Sequence, residues 1–373
     1  FLQGYYDESG ISSDSFDQAV RVTVTGDVNV SPAMAEQGIR LQTSVRTSVY
    51  YMGFNLLDAV VGGKTPEEQR RAKLLRQALS IVLDQEEFIS IFLNGRGQPG
   101  MGPIPPGIFG YQTGQAGINP VVYTWKDGEP QRRSIKEAKA LLVQAGWPDG
   151  RDRQTGRPLV LNLDTTSGGL GDKSTMDWMS RQLNQLGIQL VVRSTDFNRF
   201  QEKLRKGSAQ MYFLGWNADY PDPENFFFLL YGPEGKVAHG GENTANYSNP
   251  EFDRLFRVMK NMPNGPARQN VIDSMLKLVR EDAPWVYWFY PKTYVLQHGW
   301  LQNYKLNNVA SNTIKYQRID ADRREVLRKE WNKPLLWPFA VLVVGILALL
   351  WPAIRAYRAR AGLDAFGNKV RNP

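Results

Sequence analysis

Hydrophobic and polar positions in this chain change period repeatedly, and the changes outline its elements. The run RVTVTGDVNV, residues 21–30, alternates like a half-buried strand, and SVYYMGFNL, residues 48–56, is a continuous β-prone aromatic run that predicts a buried strand. Gly62 and Gly63 interrupt it. From Pro66 the period becomes helical: PEEQRRAKLLRQALSIVLDQEEFISIFL puts Leu74, Leu75, Ala78, Leu79 and Val82 on one stripe and predicts a long helix over 66–93. Residues 94–111, NGRGQPGMGPIPPGIFGY, carry too much glycine and proline for regular structure.

Ser134 followed by Glu137 is a capping-box signature, so a helix is expected from there to Ala145, stopped by Gly146. Strands at 159–165, 188–195 and 209–216 then alternate with helices at 172–186 and 197–206. That order predicts an α/β layer around a largely parallel sheet. Amphipathic helices at 249–262 and 265–283, a pair of aromatic strands within 284–297 and a last strand at 313–319 complete the body. Ligands of such sheets sit beyond the carboxyl ends of strands, which is where GWNADYPDP, residues 215–223, falls.

The pattern changes once more near the end. Residues 334–354, PLLWPFAVLVVGILALLWPAI, hold no charged side chain and are long enough, as a helix, to cross a hydrocarbon core of about 30 Å. Trp337 and Trp351 stand near its ends as interfacial anchors, and Pro338 and Pro352 are expected at the ends too, where they disturb a helix least. The expected layout is a body outside the membrane, a linker over 321–333, a single span over 334–354 and a basic tail inside over 355–373. The opening FLQGYYDESG has neither a basic nor an apolar leader segment, so an export signal is expected upstream of it.

Composition removes more than it adds. The chain has no cysteine, which excludes disulfides, thiolate metal sites and a cysteine nucleophile. Two histidines, His239 and His298, leave little for metal binding or imidazole proton transfer. The net charge of +8 suggests nucleic acid until it is divided: Arg355, Arg358, Arg360, Lys369 and Arg371, set against Asp364, contribute half of it in the tail. The body has no concentrated basic stripe, so no nucleic-acid partner is expected.

Asp219, Asp222 and Glu224 crowd the 215–224 loop. A glycosidase pair or a calcium ladder would use carboxylates, but prolines interrupt DYPDPEN and the regular oxygen spacing of a calcium loop is not met. SGGLGDKST, residues 167–175, misses the phosphate-loop pattern because Asp172 separates glycine from lysine, and no G-x-S-x-G elbow exists. No enzyme activity, metal or cofactor is expected. A carboxylate at a rigid strand end, flanked by rings that exclude water, instead suits a ligand ammonium. Trp216, Tyr220 and the cluster Trp285, Tyr287, Trp288 and Tyr290 are candidate walls, as core or as pocket. Asp222 and Glu224 are expected to cap a helix beginning near Asn225.

In order along the chain, YYMGFNLLDAVVGG, LLRQALSIVLDQEEFI, NGRGQPGMGPIPPGIFGY, SIKEAKALLVQAGWPDG, GWNADYPDPENFFFLLYG and NYSNPEFDRL resemble the extracytoplasmic solute-binding proteins of ABC importers, the oligopeptide and dipeptide type of family 5. The resemblance covers about residues 1–320. It implies a periplasmic-binding-protein-like two-lobe clamp of α/β fold, with residues 1–69 as the later part of the first lobe and the hinge, 70–292 as the second lobe and 293–320 as return strands. It implies that Asp219 takes the α-amino group of a peptide or peptide-like solute. Trp216, Asn217 and Tyr220 are carried over as pocket residues, as are Pro105 and Ile108 of the proline-rich loop. Its implied partners are ABC permease subunits, together with an N-terminal segment or companion chain that completes the first lobe; the apolar helix adds the lipid bilayer. Because that helix departs from the family, an accessory subunit that keeps the fold without transporting solute stands as the alternative.

Overall fold

A computed structural model of the chain describes residues 1–12, 14–22, 28–166, 172–310 and 312–361. The centre of the alternating run at 21–30, the glycine-rich part of the 167–175 loop and most of the basic tail lie outside these residues. The described ends of the alternating run form a short antiparallel pair, Val20–Val22 with Val28–Val30.

One eight-stranded sheet organises the body: β1 (Glu8–Gly10), β2 (Arg40–Val45), β3 (Ser48–Phe54), β4 (Gly97–Pro99), β5 (Val160–Thr166), β6 (Gln189–Thr195), β7 (Met211–Asn217) and β8 (Trp285–Gln297). The strand order β1-β8-β3-β7-β5-β6 puts β3 between two neighbours, and six of its seven residues are buried, as its unbroken apolar run requires.

Only part of the sheet is parallel. β5 pairs in parallel with both β6 and β7, whereas β3 runs antiparallel to β7 and to β8. The expected aromatic strand pair is in fact one thirteen-residue strand, β8, that continues through Pro291. Its first half pairs with β3 and its second with β2, while β4 and β1 pair along the opposite edge. Pro291 lacks an N–H, but its carbonyl still accepts from the Arg46 amide at 2.8 Å.

The helices carry the start signals the sequence announces. The long 66–93 pattern divides into α1 (Pro66–Val82) and α2 (Gln85–Leu93), because the Asp84 side chain accepts from the Glu87 amide and starts a second helix. α3 (Ile135–Gln144) has the complete Ser134–Glu137 capping box, and Gly146 follows at φ 88°, a left-handed stop. α4 (Lys173–Asn184) and α5 (Phe197–Lys206) connect the parallel strands. α6 (Glu224–Phe227) is a single turn, and α7 (Pro250–Met259) and α8 (Pro266–Asp282) pack behind it.

Two apolar layers cover the sheet faces, and residues alternate between them along each strand. Met52, Phe54, Val286 and Trp288 join α1, α2 and α4 in one layer; Val49, Tyr51, Trp285 and Tyr287 join α7 and α8 in the other. Trp285, Tyr287, Trp288 and Tyr290 are each no more than 2% exposed, so this cluster among the candidate walls is core. Tyr51 stacks on Trp285 at 3.7 Å between centroids.

The expected last strand at 313–319 is a 3-10 turn, Ile314–Tyr316, followed by the two-residue strand Arg318–Ile319. The expected linker at 321–333 is mostly helix, α9 (Ala321–Trp331), started by the Asp320 side chain. The apolar segment forms α10 (Trp337–Ala361), which passes beyond 354, so Pro352 lies inside the helix rather than at its end. The chain separates into two compact units. One comprises Glu8–Gly299 with Asn303–Arg318 and holds the whole sheet; the other comprises Phe1–Asp7, Trp300–Gln302 and Ile319–Pro373.

Candidate functional site

The site begins where β7 leaves the core. Met211, Tyr212 and Phe213 are buried, after which Gly215 and Asn217 are exposed and Trp216 is half-buried. Glycine is required at 215 by its cross-strand partner: a Cβ there would lie 2.9 Å from the ring of Tyr50. Pairing with β3 fixes the strand end. The Ser48 hydroxyl donates to Asn217 Oδ1 at 2.7 Å, and the Ala218 amide donates to the Thr47 carbonyl at 2.9 Å. Thr47 in turn donates its hydroxyl to the Asn308 carbonyl at 2.9 Å.

Beyond Ala218 the chain turns around one buried side chain, Asn225, which is 2% exposed. Asn225 Oδ1 accepts from the Asp219 amide at 2.9 Å and from Trp216 Nε1 at 3.2 Å. Its Nδ2 donates to Asp219 Oδ2 at 3.1 Å. The Asp219 carboxylate is thereby tethered by one oxygen while the residue remains exposed. The Trp216 ring meets Phe228 edge-on at 5.3 Å, which holds the indole upright beside the acid.

The other two acids have separate tasks. Asp222 takes a bidentate contact from Arg268 of α8, at 2.7 and 2.8 Å, and accepts from the Glu224 amide at 2.9 Å. Burial pushes the Asp222 carboxyl up, but the Arg268 and Glu224 hydrogen bonds win and hold it below the usual aspartate range. Arg268 is 3% exposed and also donates to the Met259 carbonyl and to Asn264 Oδ1. Asp222 therefore pins the start of α6, as expected of a capping acid. Glu224 makes no cap: it accepts from the Tyr220 hydroxyl. Burial and the Glu224 carboxylate push the Tyr220 phenol up to about 12.

Trp216, Asn217, Asp219 and Tyr220 thus share one turn at the carboxyl end of β7. The proline-rich loop lies beside it, since a Cβ on Gly107 would come within 3.6 Å of the Thr47 methyl. Pro105 is buried, and Ile108, 3% exposed, packs in the layer with Val49 and Tyr51. Thr47, Ser48, Asn225 and Arg268 were not singled out from sequence. The first two follow from register, and Arg268 lies 46 residues from its partner. Asn225 alone carried a signal: an amide two residues after the second proline of PDP, in front of an apolar run.

An exposed carboxylate thus stands tethered at a strand end of the α/β unit, while Trp285, Tyr287, Trp288 and Tyr290 serve its core. The chain belongs to the bacterial extracellular solute-binding proteins, family 5: residues 14–237 match the model for the middle part of that family, and this stretch holds Asp219 and its neighbours. Members of this family bind solutes and are not enzymes. Among curated relatives, the chain is 27% identical over 225 residues to di/tripeptide-binding protein 4 of Pseudomonas aeruginosa, covering 60% of this chain and 38% of that one. It is 22% identical over 274 residues to the oligopeptide-binding protein AppA of Bacillus subtilis, covering 72% and 46%. The chain therefore spans less than half the length of these relatives.

The fold is that of the periplasmic peptide-binding proteins, which are two-lobed. The oligopeptide-binding protein AppA from Bacillus subtilis, solved with a nonapeptide, aligns with a TM-score of 0.62 at 19% identity over 85% of this chain and 57% of that one. The dipeptide-binding protein from Pseudoalteromonas sp. SM9913, solved with Met-Leu, aligns at 0.61 and 19% over 86% and 55%.

Proposed function

We propose that this chain is the ligand-binding part of an extracytoplasmic solute receptor for an ABC importer, and that it takes peptides or peptide-like solutes by their free amino group. The observation that carries the reading is the exposed Asp219 carboxylate, tethered by a buried amide at the end of β7 and bordered by Trp216. An ammonium bound there gains a charge-assisted hydrogen bond beside apolar surface that limits screening. Asn217 and Tyr220 present polar groups on the same turn, and Pro105 and Ile108 stiffen the neighbouring loop from within the core.

In this reading β3, placed by the resemblance with residues 1–69, joins β5, β6, β7 and the first half of β8 in the second lobe, because it pairs with β7 and β8. β2 and the second half of β8 return to the first lobe. The crossing at Arg46–Thr47 and Pro291 is then the hinge on which the clamp closes over its ligand. A permease in the inner membrane is the partner that senses closure. The apolar helix α10 tethers the protein, with the body in the periplasm and the basic residues after the span on the cytoplasmic side.

Isothermal calorimetry with a synthetic tripeptide tests the reading on the full-length protein. Asp219→Ala is expected to weaken binding by about tenfold or more, the value of a hydrogen bond to a charged group. Unchanged affinity would remove Asp219 from the site. A second reading, a non-transporting accessory subunit that retains the fold, is favoured by α10. Peptides recovered by mass spectrometry from the purified protein would count against it.

A further inference from the structure

We infer that Asn225 is the positioning residue that aims both the Asp219 carboxylate and the Trp216 indole at the ligand, so that the preference for a free amino group depends on a side chain that never touches the ligand. The inference rests on the reading of Asp219 as the ammonium acceptor.

Three hydrogen bonds converge on this one amide, two at its oxygen and one from its nitrogen, and each reaches the 216–219 turn. The residue is 2% exposed, so its own amide depends on these contacts, and truncating it removes the shared partner of the Asp219 amide, the Asp219 carboxylate and the Trp216 indole. An amide fits where few other side chains do. Its oxygen accepts from a backbone N–H and an indole N–H while its nitrogen donates to a carboxylate; a carboxylate at 225 has no donor for Asp219, and an aliphatic side chain has neither group.

The amide is itself held from behind. It begins the buried run Asn225, Phe226 and Phe227 of α6, and the residues just before it are fixed by Asp222 on Arg268. Among the described residues only Oδ2 of Asp219 is engaged, so the other oxygen remains for a cation. The arrangement is a chain of support running from Arg268 through Asp222 and α6 to Asn225, and then to the acid. Binding groups held by locked side chains keep their geometry far better than groups on an unsupported loop.

The test compares the full-length protein with Asn225→Ala, Asp219→Ala and the double variant, titrating each with Ala-Ala-Ala and with its N-acetylated form. The quantity read is the ratio of the two affinities. A structural role would weaken both peptides together and leave the ratio unchanged. The expected result is that Asn225→Ala lowers the preference for the free amine by about tenfold, and adds nothing further in the Asp219→Ala background, because both act through one carboxylate. Trp216→Phe, which keeps a ring but removes the indole donor, is the second variant should Asn225→Ala fail to fold. It is expected to lower the same ratio by a smaller factor.

If Asp219→Ala abolishes the preference while Asn225→Ala and Trp216→Phe leave it intact, the inference about Asn225 fails alone. If Asp219→Ala leaves the preference intact, the reading of the site fails and the inference with it.

Discussion

Arg268 and Asp222 form the most heavily invested pair near the site: a guanidinium 3% exposed, with both carboxylate oxygens in reach. Removing one partner of such a pair leaves the other uncompensated, so Arg268→Ala is expected to cost about 3 kcal/mol in chemical denaturation. The pair also fixes a sign for pH. The Asp222 carboxyl lies below its ordinary value, so the stability it contributes is fully present above about pH 4 and is lost as pH falls through the lowered value. The stability gap between the native protein and Arg268→Ala therefore narrows on acidification; an equal gap at neutral pH and at about pH 3 would contradict this assignment. At this scale the sequence sets Asp219 apart from Asp222 and Glu224, the two expected helix caps, but only the partners Arg268 and Tyr220 separate Asp222 from Glu224.

Elements were legible wherever local chemistry fixes them. The capping box at Ser134, the helix Phe197–Lys206 and the buried strand beginning at Ser48 all occur where the pattern puts them. Errors arose where pairing or tertiary context decides. Nothing local shows that β8 continues through Pro291, because pairing with β4 on one edge, and with β3 and then β2 on the other, carries it across. Nothing local shows either that β7 pairs in parallel with β5 on one side and antiparallel with β3 on the other.

One element-scale device became visible only in register: Gly53 faces Tyr212, and Gly215 faces Tyr50, so each glycine lies under an aromatic ring of the opposite strand. A Cβ on Gly53 would stand 2.4 Å from the Tyr212 ring, which is fully buried. Gly53→Ala is expected to cost about 1–3 kcal/mol by overpacking, measured by thermal or urea unfolding. A change within about 0.5 kcal/mol would mean that the ring can move aside.

At the scale of the whole molecule, the family match covers residues 14–237 and does not include α10. This helix is long and apolar enough to cross a membrane, with mean hydropathy 2.2 over an 18-residue stretch, none of which is buried. Expressed in bacteria, the chain is expected to remain with membranes after carbonate extraction, while a version ending at Lys333 is released. Equal release of both would remove the tether. The pocket is harder to read at this scale than the fold, because core and pocket rings look alike in sequence, and four of the six rings offered as walls serve as core.

The central claim is that a ligand amine binds at the end of β7, on Asp219. It is tested most directly by a crystal structure of the full-length protein with a bound free-amine tripeptide. The account predicts the peptide nitrogen within about 3 Å of the Asp219 carboxylate, with Asn225 still donating to its other oxygen. A peptide whose amino group is held elsewhere, with Asp219 facing solvent, would contradict it.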